Sequence, residues 1–454
     1  MRRTKIICTI GPATNNKDIL KEMILAGMNV ARFNMSHGDH ESHLALIKEA
    51  RLASEELNMP LAILIDTKGP EIRIGKFAEG YIELEEGSKF TLTTKSVVGN
   101  AEKVSVTYAK LPQEVKKGTR ILIDDGAIEL SVINVTDTDI VTKVVVGGKL
   151  SNKKSVNVPA VDIDMPYLSE QDKKDIQFAC EVDADYLAIS FVRDKSDVLS
   201  VRRLLEKFGK PNIKIISKIE CEQGVRNAHE IIEHSNGLMV ARGDLGVEVD
   251  FAQIPIIQKQ LISECNTHGK IVITATQMME SMLTNNRPTR AEISDVANAI
   301  CDGTTAVMLS GETSAGKHPT LVVKTMAKIA QETELTQEGN DFAYYIPENM
   351  SLSGSVGYGV CALKYAIEKC VIVCLDDYEG AISISNYRPA TDIFFFTTNK
   401  NHYNQASLYN AIEPIYCKKV NLNACVNYLF ESGLIAKNTN IIVVCKNNIS
   451  VIKN

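Results

Sequence analysis

No stretch of this 454-residue chain approaches membrane-spanning length, no basic excess marks a protein that tracks nucleic-acid backbone or anionic lipid, and no Cys-x-x-Cys pair occurs. The first two absences argue against a helical membrane spanner and a nucleic-acid or lipid binder. The formal net charge is −6 with a pI near 5.9, so a small anionic ligand needs locally placed cations. Eleven cysteines, an odd number and scattered, read as reduced and mostly buried thiols of a cytoplasmic protein, not as a disulfide framework. After Met1-Arg2-Arg3-Thr4-Lys5 the sequence turns strand-like at once, without the apolar stretch of a secretory signal. What is present is 44% hydrophobic residues over a length that suggests two or three domains.

Short apolar, β-branched runs recur at residues 5–9, 29–33, 61–65, 186–190, 213–217, 238–241, 271–275 and 306–309. Longer amphipathic stretches, such as 17–26, 40–57, 194–208 and 255–268, separate them. Strand-then-helix alternation of this kind predicts an α/β chain built on a (β/α)₈ barrel. Between residues 66 and 186 the pattern changes. Runs at 81–84, 89–93, 103–106, 120–123, 127–132 and 140–146 alternate like antiparallel strands, so a small β-barrel domain is inserted after strand three. Helical pattern resumes at Ser169, a candidate cap with Asp172 three residues on. Beyond a helix at 322–334 and a polar linker at 336–340, strands at 370–375, 392–397, 414–417 and 441–445 predict a C-terminal α/β domain. The expected division is 1–69 with 167–335 for the barrel, 70–166 for the insertion and 336–454 for the last domain.

Barrel enzymes carry their chemistry on the loops at the C-terminal ends of the strands. Here six of those ends are crowded with polar groups. Strand two ends in Arg32-Phe33-Asn34-Met35-Ser36-His37-Gly38, and strand three in Asp66-Thr67-Lys68-Gly69-Pro70-Glu71-Ile72-Arg73. Strand five ends in Lys218-Ile219-Glu220 and strand six in Arg242-Gly243-Asp244-Leu245-Gly246. Strand seven ends in Thr276-Gln277-Met278 and strand eight in Ser310-Gly311-Glu312-Thr313. Glu220 and Asp244, on adjacent strands, suit a hard divalent cation that takes few protein oxygens. Lys218 and Arg32 aim separate cations at the same mouth, as stabilisation of a transferring phosphoryl group requires. The Gly243–Gly246 turn can offer backbone N–H groups to a carboxylate or phosphate.

Residues 4–13, 66–73, 218–220, 241–246 and 308–313 resemble the pyruvate kinase family, as do residues 273–282 and Arg287-Pro288-Thr289-Arg290-Ala291-Glu292. The resemblance implies phosphoryl transfer from phosphoenolpyruvate to ADP, giving ATP and pyruvate. By position it implies that Lys218 stabilises the phosphoryl in flight, Glu220 and Asp244 hold Mg²⁺ or Mn²⁺, and Thr276, through water, helps protonate the enolate. Gly243, Asp244, Thr276, Lys218 and Arg32 would contact substrate. Arg32, Asn34, His37, Arg73 and Lys154 would face the nucleotide, although the usual Gly after that lysine is Ser155. Asn34, Ser36, Asp66 and Thr67 would supply oxygens to a K⁺ ion, and Glu71, where K⁺-independent relatives carry Lys, implies K⁺ activation. A cytoplasmic homotetramer is implied as well.

The third domain departs from the family. Many relatives bind a phosphorylated sugar through a Thr/Ser/Gly-rich loop, where this chain has Leu375-Asp376-Asp377-Tyr378-Glu379-Gly380. Three acids repel a phosphate, so control by a sugar bisphosphate is not expected. Residues 445–449 look like a short turn into a last strand. Two motifs are decoys: Gly311 to Lys317 fits G-x-x-x-x-G-K, but His318 supplies no Mg²⁺-binding hydroxyl, and His37, His40 and His43 lack a fourth ligand for zinc. A divalent-metal barrel lyase or aldolase, and a catalytically inert relative, stand as alternatives.

Overall fold

In the computed structural model, which describes residues 1–336, 351–446 and 448–453, eight parallel strands close into a barrel. They are Lys5–Thr9, Val30–Asn34, Ala62–Asp66, Tyr186–Ile189, Lys214–Ile219, Gly237–Ala241, Ile271–Ala275 and Ala306–Leu309, each paired with its neighbours in chain order. Period-two alternation sorts their side chains into two cores. Ile7, Val30, Leu64, Tyr186, Ile216 and Met239 fall in one buried cluster, while Ile6, Phe33, Ile63, Leu187, Ile215 and Val240 pack with the surrounding helices in another. Those helices begin where short polar side chains can take up orphan N–H groups: Asp39 caps His40–Leu57, Ser169 caps Glu170–Glu181, and Thr289 caps Arg290–Cys301.

The insertion is a seven-stranded sheet running from Ile72–Arg73 to Lys103–Ser105, with a separate two-stranded ribbon of Tyr81–Leu84 and Gly148–Ser151. A single bridge between Ile74 and Val106 brings the two edges of the larger sheet together. Antiparallel pairing was expected throughout, yet Lys103–Ser105 runs parallel to Lys89–Thr93. Alternation along one strand reports which face is buried and carries no information on neighbour direction. Three short strands, Ile72–Arg73, Gly148–Ser151 and Ser155–Asn157, are too brief to show a period and were not anticipated.

The last sheet has parallel strands Ile412–Tyr416, Ile393–Thr397, Cys370–Leu375 and Asn440–Cys445 in that order, with Asn448–Ile452 antiparallel at its edge. The expected linker lies, past Thr336, outside the described residues, as does Asn447 of the expected turn. This domain closes the N-terminal end of the barrel, opposite the functional mouth. Tyr186 donates its hydroxyl to the Gln405 carbonyl at 2.5 Å, and the buried Lys5 ammonium reaches the Ile412 carbonyl at 2.7 Å and Glu413 at 3.1 Å. The inner barrel core therefore continues into the third domain without a break.

Candidate active site

The same alternation that places Val30, Leu64, Ala188 and Ile216 inside the barrel turns the next inward residues, Arg32, Asp66, Ser190 and Lys218, toward its C-terminal mouth. All four are buried. Four polar groups in one dry layer must satisfy one another. Asp66 accepts from Arg32 Nε at 2.7 Å and from Lys218 Nζ at 3.2 Å. Lys218 also reaches Ser190 Oγ at 2.6 Å and Glu220 Oε1 at 2.9 Å, and Arg32 donates to Thr9 Oγ1 at 2.8 Å. Burial alone would depress the Lys218 ammonium's pKa, but the charges of Asp66 and Glu220 outweigh it and hold the group protonated. Burial works against the Asp66 carboxylate too, and there Lys218 and Arg32 win, keeping it below its ordinary range.

Glu220 and Asp244 behave in the opposite sense. Burial pushes the Glu220 carboxyl up to about 7 despite Lys218, with Asp244 adding repulsion. Burial raises Asp244 as well, only partly offset by Lys218, and the two carboxyls are hydrogen-bonded neighbours. Phe191, in the left-handed region at φ 54°, donates its N–H to Glu220 Oε2 at 2.7 Å. Two adjacent, partly desolvated carboxyls fit a divalent cation, because oxygen donors are what a hard ion takes and its charge relieves their repulsion. Among the described residues, no group of three or more His, Cys, Asp or Glu side chains is placed to hold a metal ion, so the remaining ligands would come from water or substrate.

Strand seven ends in strain. Thr276 and Gln277 both adopt positive φ, 65° and 54°, a conformation non-glycine residues hold only when their surroundings fix it. Arg242 does the fixing: Nη2 donates to the Thr276 carbonyl at 2.6 Å, Nε to the Ala275 carbonyl at 3.2 Å, and Asp295 anchors the guanidinium at 2.8 Å. The expected turn at residues 243–246 is instead part of a short helix, Arg242–Glu248, and the Gly243 N–H is taken by Thr276 Oγ1 at 2.9 Å. Thr276 thus takes one of the N–H groups expected to be bare, a contact that sequence spacing does not reveal.

A cleft of about 1350 Å³ opens between this mouth and the inserted domain. It brings together Arg32, Asn34, Ser36, His37, Arg73, Lys154, Lys218, Glu220, Asp244 and Thr276; the buried Asp66 and Thr67 and the partly exposed Gly243 are not among the residues that line it. The outer cations are already paired: Lys154 with Asp124 at 2.7 Å, and Arg73 with Glu71 at 2.8 Å. Glu71 also meets Lys68 at 3.2 Å. The His37 carbonyl accepts from His43 Nε2 at 2.7 Å, and His40 pairs with Asp175 at 2.6 Å, and among the described residues these histidines do not form a group that could hold a metal ion. Of the four residues expected around K⁺, Asp66 is held by Arg32 and Lys218, and the Asn34 side-chain carbonyl accepts the Ser36 N–H at 3.1 Å.

Sequence reasoning passed over Thr9, Ser190, Arg242 and Glu248. The first two are uncharged, so a search for charged strand ends misses them. Arg242 stood in a noted strand end without a role, and Glu248 lies four residues past Asp244, one helical turn on, a spacing that could have signalled it.

A family model described as "Pyruvate kinase, barrel domain" matches residues 1–323, and one described as "Pyruvate kinase, alpha/beta domain" matches residues 362–453. A protein named pyruvate kinase from Geobacillus stearothermophilus is 46% identical over 98% of this chain and 77% of its own length. Another of that name from Staphylococcus saprophyticus is 47% identical over 91% of this chain and 72% of its own length. A third, from Bacillus licheniformis, is 48% identical over 88% and 69%. With a barrel, a crowded mouth and matches over nearly all its length, the chain belongs to the pyruvate kinase family.

Proposed function

We propose that this chain transfers the phosphoryl group of phosphoenolpyruvate to ADP, giving ATP and pyruvate. The observation that carries the reading is the Lys218 ammonium, held between Asp66 at 3.2 Å and Glu220 at 2.9 Å beside the Glu220–Asp244 pair. A permanently charged, water-shielded cation at the point of transfer stabilises charge on the moving phosphoryl without reorganising. The enol-phosphate P–O bond breaks, a P–O bond to the terminal phosphate of ADP forms, and the enolate takes a proton at carbon. Arg32 and Lys218 bind the phosphoryl oxygens, and the Gly243–Asp244 segment and Thr276 orient the carboxylate end. The Thr276 hydroxyl, acting through water, hands on the proton. Arg32, Asn34, His37, Arg73 and Lys154 receive the nucleotide, and residues 70–166 act as a lid that excludes water.

Glu220 and Asp244 would hold Mg²⁺ or Mn²⁺, which when bound supplies charge to phosphate oxygens. Asn34, Ser36, Asp66 and Thr67 would offer oxygens to K⁺. The proposal extends to a cytoplasmic homotetramer. Among the described residues, no helix is long and apolar enough to cross a membrane.

A coupled assay of pyruvate formation with Mg²⁺, with and without K⁺, on wild type and Lys218→Met tests the reading. Activity that needs K⁺ and falls about 10³-fold or more in the variant is the expected result. Full activity without K⁺ overturns the cation assignment alone. No activity under any condition overturns the reaction.

A further inference from the structure

The inserted domain leaves the barrel through residues 67–70 and returns through residues 163–167, and both arms rest on one short segment at the end of strand four. On the outgoing arm, Ser190 Oγ donates to the Thr67 carbonyl at 2.7 Å. Gly69, at φ +75°, lies so close that an added Cβ would fall 2.8 Å from Ser190 Cβ. On the returning arm, the Tyr167 hydroxyl donates to the Ser190 carbonyl at 2.9 Å. Three residues on, Arg193 donates to the carbonyls of Ile163 and Met165 at 3.0 and 2.8 Å, and Asp197 anchors it.

The same Ser190 hydroxyl accepts from Lys218 Nζ at 2.6 Å. An ammonium has three N–H donors, and here Asp66, Glu220 and Ser190 take them all. To grip a phosphoryl oxygen, Lys218 must exchange or share one partner. Two are carboxylates, whose negative charge holds the ammonium more strongly than the dipole of a hydroxyl does. Ser190 is the neutral one, and its position is set by both arms of the hinge.

We propose that Ser190 is a positioning residue that couples the hinge of the inserted domain to the Lys218 ammonium, with Tyr167 acting through it. Movement of the arms shifts Ser190, and Ser190 fixes where the third N–H of Lys218 points. Lid closure and aiming of the ammonium are then one event. The inference rests on phosphoryl transfer at Lys218.

The test compares wild type, Ser190→Ala, Tyr167→Phe and the double variant, as full-length proteins, in steady-state assays with phosphoenolpyruvate, ADP, Mg²⁺ and K⁺, alongside thermal melts without substrate. Tyr167→Phe keeps the ring beside Arg193, so it remains readable if Ser190→Ala does not fold. Loss of one charge-assisted hydrogen bond predicts a kcat about tenfold lower in Ser190→Ala, with the KM for ADP within about twofold. Tyr167→Phe is expected to lower kcat about threefold alone and to add nothing in the Ser190→Ala background, because coupled sites are non-additive. Unchanged kcat in Ser190→Ala, or losses that multiply in the double variant, overturns the coupling while leaving the reaction standing. If Ser190→Ala does not fold, unchanged kcat in Tyr167→Phe overturns it equally. Absence of turnover in the wild type overturns both.

Discussion

Asn157, on the last strand of the inserted domain, donates its side-chain amide to Glu248 at the end of the short barrel helix at 2.7 Å. The contact spans the cleft, and Asp162 meets Arg226 at 2.6 Å at its margin. The second pair is exposed on both sides and contributes little. The first is partly buried and ties the inserted domain to the helix that carries Asp244. Asn157→Ala is therefore expected to raise the KM for ADP about fivefold, on the order of one hydrogen bond, with a smaller change in kcat. Hydrogen exchange across residues 70–166 of the substrate-free protein should quicken. An unmoved KM and unmoved exchange would show that the contact does not hold the inserted domain in place.

Arg242 sustains two adjacent residues in a conformation they do not adopt by themselves, and it does so with a fork of donors to two carbonyls. Lysine cannot reproduce that geometry. Arg242→Lys and Arg242→Ala should both lower kcat, by about 10- to 100-fold, as expected when a reacting group is misplaced by about an ångström. KM values for both substrates should change far less. Recovery of kcat by lysine would mean that charge alone matters there.

Asp66 is the shared counter-ion of two buried cations. Asp66→Asn keeps the shape and removes the charge, leaving Arg32 and Lys218 to repel each other in a dry layer. Breaking such a pair predicts a loss of roughly 3 kcal/mol in the substrate-free protein. Added inorganic phosphate should restore part of it, because an anion at the mouth replaces the missing charge. A melting temperature equal to the wild type's without phosphate would contradict this account.

How much of this was legible beforehand depends on the type of signal. The barrel was readable because eight apolar runs alternate with helical stretches, and a period of two or 3.6 residues is a local property. Lys218, Glu220 and Asp244 were readable because charges at strand ends stand out against Ile219 and Leu245. Ser190 carries no charge and lies at the end of an ordinary apolar strand, so its contacts with Lys218 and Tyr167 arise only when strands three, four and five are laid side by side. The positive φ of Thr276 was hidden for a related reason: no Gly marks it, and Arg242, which sustains it, is 34 residues away in the chain. The parallel pairing of Lys103–Ser105 was likewise a property of its neighbour.

Asp185 supplies a stability prediction away from the mouth. It lies at the start of strand four, is 4% exposed, and accepts the Ile63 N–H at 2.8 Å. Burial pushes its carboxyl up to about 7, only partly offset by that N–H and by Arg51. A carboxyl whose folded pKa lies above its unfolded value favours folding in its protonated form. Its contribution is fully present below the unfolded pKa, near 3.8, and is lost as pH rises through about 7. Asp185→Asn carries no such titration and keeps an oxygen for Ile63. Relative to the wild type, the variant should gain stability between pH 5 and pH 8, by on the order of 3 kcal/mol at most. Denaturant midpoints at the two pH values check this: a wild-type advantage that grows with pH would place an ionised, well-compensated Asp185 in the folded protein instead.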